Sequence, residues 1–232
     1  SHHILQSDVK ERKGFRKGDF KKATIATIIA GRLKSTRLKS KALLHIGEIT
    51  SVEKCIQSCL NFKDTSYTIL ATSTTEQDEE LKDYCYSDSV IFHQGDPEDV
   101  IKRYLDATDK YNIDVVIRVT ADMPYVSKEI TEILLKSHFE NGADYTAAIQ
   151  CSVGTTPEII NVQALKKVKE YFPNANYSEY MTWYFQNNSE NFKINKVDLP
   201  DELIRDYRLT LDYQEDLDMF NKIQTHLDEN SK

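Results

Sequence analysis

Ala23-Thr24-Ile25-Ala26-Thr27-Ile28-Ile29-Ala30, followed at once by Gly31-Arg32-Leu33-Lys34-Ser35-Thr36-Arg37-Leu38-Lys39-Ser40-Lys41, is the stretch from which the fold is read. Its first part is apolar and β-branched without polar alternation, the pattern of a strand covered on both faces as in a parallel sheet. It is shorter than the roughly 20 residues a bilayer span requires, and it runs directly into Arg32 and Lys34. The loop beyond it holds five cations and three hydroxyls. A triphosphate needs that inventory, cations to offset charge and donors to bond oxygen. The spacing is not that of a Walker A loop, because Gly31 lies three positions before Lys34 and no second glycine precedes the lysine.

Working outward, Ser51–Leu60 reads as a helix with Val52, Cys55, Ile56 and Leu60 on one side. Tyr67–Ala71 is a second predicted strand, Glu76–Tyr84 a short acidic helix and Ser89–Phe92 a third strand. Gly95-Asp96-Pro97-Glu98-Asp99 opens the next helix, with Pro97 at its first position and Asp96 as its cap. Ile113–Val119 is the most strand-like run, ending at Thr120-Ala121-Asp122-Met123-Pro124. A helix with Ile130, Ile133 and Leu134 inward leads to a strand at Asp144–Ile149. Alternating strands and helices with short connections predict an α/β fold, a doubly wound and mostly parallel sheet, whose ligands collect at the carboxyl ends of the strands. The second half is less regular and predicts a smaller mixed α+β lobe. It has strands at Pro157–Ile160, Phe192–Leu199 and Tyr207–Leu211, helices at Val162–Phe172 and Ser178–Phe185, and a terminal helix marked by Leu217, Phe220, Ile223 and Leu227.

The 232 residues suit one catalytic-sized domain, taken as 23–232. Residues 1–22, which begin Ser1-His2-His3, read as a tag, a linker or the remnant of an upstream domain. A formal charge of −7 makes nucleic acid a poor default partner, and no membrane segment is expected. Cys55, Cys59, Cys85 and Cys151 show no C-x-x-C pair and read as reduced or buried thiols of a cytoplasmic protein. His45, His93 and His138 lack metal-ligand spacing and read as ordinary histidines.

Two carboxylates end predicted core strands, Asp122 after Val115–Val119 and Asp212 after Arg208–Leu211. Hard oxygen ligands at one sheet edge suit Mg²⁺ bridged to phosphates, and each Asp taken singly also suits a helix cap.

In order, the chain reads Arg32-x-x-Ser35-Thr36-Arg37-Leu38-x-x-Lys41, Ala71-Thr72-Ser73, Gly95-Asp96-Pro97-Glu98-Asp99-Val100-Ile101-x-Arg103-Tyr104, Arg118-Val119-Thr120-Ala121-Asp122-Met123-Pro124 and Arg208-Leu209-Thr210-Leu211-Asp212. This series resembles the spore-coat polysaccharide type of cytidylyltransferase, a family related to the CMP-Kdo and CMP-sialic acid synthetases. The resemblance implies a Rossmann-like, GT-A-like nucleotidyltransferase that transfers a nucleotidyl group, CMP from CTP, to a sugar or sugar acid, with Mg²⁺ as cofactor and a homodimer among its relatives. Gly31, Arg32, Ser35, Arg37 and Lys41 fall in the triphosphate loop. Ala71, Thr72 and Ser73 match the segment near the base, and Arg103 an arginine of the helix after the third strand. Asp122 and Asp212 match the metal-holding acids, Asp122 also lying beside the nucleotide. Arg32, Lys41, Asp122 and Asp212 carry the catalytic assignment. Glu158 and Glu179 match acidic residues of the acceptor side.

The departures are specific. The family loop Gln-Ala-Arg-Met-Gly-Ser-Thr-Arg-Leu-Pro-Gly-Lys becomes Ala30-Gly31-Arg32-Leu33-Lys34-Ser35-Thr36-Arg37-Leu38-Lys39-Ser40-Lys41, which removes two glycines and their access to positive φ. On the acceptor side, Glu-His-Val-Thr-Pro-Tyr becomes Glu179-Tyr180-Met181-Thr182-Trp183-Tyr184. Two other function classes stay open on sequence. One is a non-catalytic nucleotide- or sugar-binding domain with an altered loop. The other is a glycosyltransferase whose metal sits on an Asp-x-Asp, for which the chain offers only Asp216-Leu217-Asp218 inside the terminal helix.

Overall fold

The computed structural model describes residues 22–34, 38, 40–150, 154–174, 181–204 and 209–231. Strand β1 (Ile25–Ala30) is an interior strand of a seven-stranded sheet, consistent with side chains that are buried on both faces. Ala26 and Ile28 point into one hydrophobic layer and Ile25 and Ile29 into the other, all at most 1% exposed. Around it, in chain order, run the hairpin strands β2 (His45–Ile46) and β3 (Ile49–Thr50), then α1 (Ser51–Cys59), β4 (Tyr67–Ser73), α2 (Glu76–Glu79) and β5 (Ile91–Gly95). They are followed by α3 (Val100–Lys110), β6 (Val115–Thr120), α4 (Lys128–Asn141), β7 (Tyr145–Ala148) and β8 (Glu158–Asn161). The chain continues through α5 (Val162–Tyr171), α6 (Met181–Gln186), β9 (Ile194–Val197) and α7 (Gln214–Asn230).

The sheet order is β5-β4-β1-β6-β8-β7-β9. The pairs β4–β5, β1–β4, β1–β6 and β7–β9 are parallel, whereas β8 runs antiparallel to β6 and β7. The sheet is therefore mostly parallel, as its pattern predicts, and the less regular half adds its strands to the same sheet. Helices α3, α5 and α6 cover one face, and α1 and α4 the other. Each helix spaces its apolar residues along one stripe, as Ile101, Tyr104 and Ala107 do in α3.

Several boundaries differ from the sequence reading, each for a local reason. The acidic segment starts as α2 and tightens into a 3₁₀ turn over Glu80–Tyr84. The helix expected to open at Pro97 starts at Val100, because Asp96 accepts the N–H groups of Glu98 and Asp99 in a preceding turn and Asp99 becomes the cap. Leu227, expected to face inward, is 47% exposed, because α7 docks through Phe220 with Leu217 and Ile223 alongside and its last turns project beyond that contact. The hairpin β2–β3 was absent from the sequence reading. Its two residues per strand are too short to show a period, and it is held by Ile46 packing on Phe220 and Leu211. The final strand expected at Tyr207–Leu211 is not formed over 209–211 and its beginning lies outside the described residues. The same holds for the start of the Ser178–Phe185 helix.

Gly31 shows what the strand ends require. A Cβ there would lie 2.6 Å from the Cβ of Ala121, where the exits of β1 and β6 press together. Gly31→Ala must push these strand ends apart, at an expected cost of about 1–3 kcal/mol, measurable by denaturant unfolding. The Ala121→Gly change in the same chain, by restoring the space, should recover most of that loss.

Candidate active site

At the carboxyl ends of β1 and β6 opens a cleft of ≈ 530 Å³. Its charged lining is Arg32, Lys34, Lys41, Arg103 and Arg118 against Glu98 and Asp122. In a chain of net charge −7 this is a local reversal of sign, which concentrates anions in the cleft.

The first wall is organised by Asp78, whose side chain is fully buried. Its carboxylate accepts hydrogen bonds from Arg32 Nε at 2.7 Å, from the Leu33 N–H at 2.7 Å, from Thr75 Oγ1 at 3.1 Å and from Ser73 Oγ. Burial by itself raises an acid, but here the Ser73 and Leu33 hydrogen bonds and the Arg32 guanidinium outweigh it and hold Asp78 below the usual carboxylate range. One buried charge thus fixes the start of the basic loop to the end of β4. Sequence reasoning overlooked Asp78 because it lies within a run of acidic residues, Glu76 to Glu80, that reads as a solvated face.

Arg32 also donates to the Pro97 carbonyl at 3.0 Å, where Arg103 Nη2 arrives at 3.3 Å, while Arg103 Nε donates to the Asp96 carbonyl at 3.0 Å. Burial and the neighbouring Arg32 charge lower the Arg103 pKa. The two guanidiniums are held as a pair by the Asp96–Pro97 turn. Gly95 permits this, since a Cβ there would lie 2.7 Å from Arg103 Cγ.

The second wall brings together two carboxylates that are 90 residues apart in sequence. Lys41 Nζ lies 3.1 Å from Asp212 Oδ1 and 3.7 Å from Asp122 Oδ2. Thr120 Oγ1 donates to Asp122 Oδ1, and Thr210 Oγ1 reaches Asp212 Oδ2 at 3.4 Å. Asp212 reaches this place without a strand. The Leu211 N–H donates to the Asp122 carbonyl at 2.8 Å, and Leu211 is buried against Ile46 and Phe220. Gly154, at φ +87°, lets the segment pass, because a Cβ there would sit 2.2 Å from the Leu209 carbonyl oxygen. Asp216 then accepts the N–H groups of Asp212 and Tyr213 at 3.0 and 2.9 Å. Asp216 is thereby a helix cap, and Asp218 accepts from Gln214 at 3.1 Å on an exposed helix face. The only Asp-x-Asp of the chain does not face the cleft as a metal site.

The other candidates fall at varied depths. Ala71, Thr72 and Ser73 are all fully buried behind the cleft, with Ser73 committed to Asp78. Glu158, opposite Arg118 in the β6–β8 register, takes the Arg118 guanidinium on Oε1 and the Tyr145 hydroxyl on Oε2. Burial and the Glu158 charge drive the Tyr145 hydroxyl well above its ordinary range, so it stays protonated and donating. Ser35, Arg37 and Glu179 lie outside the described residues. His138 is buried between Thr146 Oγ1 and Asn161 Oδ1, each at 2.7 Å, and burial lowers its pKa to about 4. Among the described residues no group of three or more His, Cys, Asp or Glu gathers to hold a metal. No described helix is long and apolar enough to cross a membrane.

With this geometry in place, comparison with known proteins is informative. The spore coat polysaccharide biosynthesis protein SpsF of Bacillus subtilis (strain 168) is 29% identical over 198 residues, covering 83% of this chain and 82% of SpsF. The 3-deoxy-manno-octulosonate cytidylyltransferase of Rickettsia akari (strain Hartford) is 30% identical over 124 residues, covering 50% of this chain and 49% of its own. Among solved structures, a cytidylyltransferase from Leptospira borgpetersenii serovar Hardjo-bovis (strain JB197) superimposes with a TM-score of 0.81 at 24% identity, covering 88% of this chain and 87% of that one. The cytidylyltransferase family model matches residues 26–232, which takes in every element of the sheet and both walls of the cleft, and the chain belongs to that family.

Proposed function

We propose that this chain transfers the CMP group of CTP to a hydroxyl of a sugar or sugar acid, with release of pyrophosphate, and that it does so with Mg²⁺. The observation that carries the reading is a cleft lined by five cationic side chains and by Asp122, with Asp212 joined to Asp122 through their shared cation Lys41. The cations suit a triphosphate and the two carboxylates a divalent ion. The names of the relatives support a nucleotide-sugar product, since SpsF is named for polysaccharide biosynthesis and the Rickettsia protein for cytidylyl transfer to 3-deoxy-manno-octulosonate.

Asp122 and Asp212 fit the ion because both already turn an oxygen toward one positive charge, the Lys41 ammonium. Asp122 and Asp212 would hold Mg²⁺, a hard cation that takes carboxylate oxygens. When bound, the ion supplies Lewis-acid stabilisation of charge on the α-phosphate. The chain's own groups do the rest. Arg32 and Lys41, together with Arg37 of the loop, offset the charge of the β- and γ-phosphates, and Asp78 holds Arg32 so that no reorganisation is needed as charge builds. A bond forms between the acceptor oxygen and the α-phosphorus, the bond from that phosphorus to the bridging oxygen breaks, and pyrophosphate departs. The acceptor hydroxyl gives up its proton in the same passage, to an acidic group such as Glu179 or with activation by the ion. Positioning and charge stabilisation carry such a transfer.

Thermal unfolding with each of the four ribonucleoside triphosphates, with and without Mg²⁺, tests the reading before any acceptor is known. CTP with Mg²⁺ at a hundredfold excess over its dissociation constant should stabilise the fold by about 2.7 kcal/mol, or roughly 5–10 °C for a chain of this size. The other nucleotides should shift it less. Equal, negligible shifts for all four would remove the nucleotide from the site and favour the non-catalytic sugar-binding alternative.

A further inference from the structure

We infer that Lys41 is an exchangeable occupant of the two-aspartate site. In the nucleotide-free chain its ammonium stands in for the divalent ion and keeps Asp122 and Asp212 converged. When the triphosphate enters, Lys41 moves to the phosphates and vacates the position, so that metal binding becomes conditional on nucleotide. The inference rests on the proposed metal role of the two aspartates and adds a second station for the lysine.

The geometry argues for it in three ways. Lys41 bonds Asp212 at 3.1 Å and lies 3.7 Å from Asp122, so one ammonium contacts both carboxylates. Removing it without replacement would take away the cation that two neighbouring, partly buried like charges share, which is unfavourable. A divalent ion cannot share that point with an ammonium, because the mutual repulsion would offset much of the attraction of two carboxylates. Lys41 also has the means to move. It starts a three-residue 3₁₀ turn, Lys41–Leu43, entered through Ser40 at φ 48°, and its side chain is 22% exposed toward the cleft that it lines beside Arg32 and Lys34. Its long unbranched stem can reorient from the aspartates to a phosphate within the same cleft without displacing buried Ala42 beneath it.

Lys41 is in this sense a positioning residue for the metal ligands, and a purely structural or purely phosphate-binding lysine makes a different prediction for metal affinity without nucleotide. The experiment is Mn²⁺ titration of the nucleotide-free protein, followed by the electron paramagnetic resonance of free Mn²⁺, for wild type, Lys41→Gln, Lys41→Arg and Asp122→Asn, with circular dichroism confirming each fold. Loss of one positive charge at contact distance should tighten Mn²⁺ binding of Lys41→Gln about tenfold or more over wild type. Lys41→Arg, which keeps the charge, should stay near wild type, and Asp122→Asn should bind Mn²⁺ weakly. Equal Mn²⁺ affinity in wild type and Lys41→Gln, with Asp122→Asn still weak, overturns the exchange and leaves the metal site standing. Insensitivity of Mn²⁺ binding to Asp122→Asn overturns both, since the aspartates would then not be the ligands.

Discussion

Asp122→Asn is expected to abolish the Mg²⁺-dependent part of the stabilisation by CTP and to lower pyrophosphate release by about a thousandfold, the scale on which removing one group that stabilises transition-state charge is felt. The substitution is nearly isosteric, and an Asn oxygen can still accept the Thr120 hydroxyl that now bonds Asp122 Oδ1. The Leu211 N–H bonds the Asp122 backbone carbonyl and is untouched. The fold should therefore survive, and unfolding without ligand should shift by less than about 1 kcal/mol. Asp212→Asn should behave alike, and the double variant should lose little more than either single one, because two ligands of one ion act as a unit. Additive losses would show that the two carboxylates act separately. Asp216→Ala is a useful contrast. It removes the acceptor for the Asp212 and Tyr213 N–H groups, so it should weaken the same metal-dependent response indirectly while also costing about 1 kcal/mol as a lost helix cap.

Asp78→Asn should be the most destabilising single change at the site, at about 3 kcal/mol. Breaking a buried ion pair typically costs 3–5 kcal/mol, and the exposure of the Arg32 side chain, 20%, lowers the figure by letting water cover part of the orphaned guanidinium. For a chain of this length that is a fall in melting temperature of roughly 6–12 °C. Nucleotide affinity should fall with it, since Arg32 Nε and the Leu33 N–H bond different oxygens of Asp78, and the amide keeps one acceptor while turning an NH2 donor toward the other. The pH dependence follows from the direction of the shift. In the folded chain Asp78 titrates below its ordinary value of 3.8, so the native state holds that proton less tightly than the unfolded chain does. Its contribution is complete above about pH 5, where the unfolded carboxylate is also ionised, and fades as acidification passes through the folded value. The stability gap between wild type and Asp78→Asn should therefore be wide at pH 7 and narrow progressively below about pH 4. A gap independent of pH would mean that Asp78 acts through shape alone.

The strand-end placement of chemistry was legible in the sequence because it follows from periodicity. A β-branched run without alternation must be covered on both faces, and the residues just past its end must lie at the ligand edge of the sheet. This placed Gly31, Arg32, Lys41 and Asp122 in one region, and the ordered blocks identified the family. The partners of Glu158 were less legible, since Arg118 and Tyr145 lie 40 and 13 residues away and are neighbours only through strand pairing. The same is true of Asp78, whose acidic neighbours in sequence suggested a solvent face although its carboxylate is the buried hub of one cleft wall.

Local pattern, then, determined which segments become strands and helices, which ones are central, and that the chain carries the ordered motifs of a cytidylyltransferase. It did so because side-chain periodicity and turn chemistry act over a few residues. Only the tertiary structure decided that Asp212 stands near Asp122 without a strand to carry it, and that Lys41 contacts both. Those positions depend on Leu211 burying itself against Ile46 and Phe220, and on Gly154 making room for the Leu209 backbone. The Ile46–Leu211 and Gly154–Leu209 contacts join residues 165 and 55 positions apart, which no local periodicity encodes.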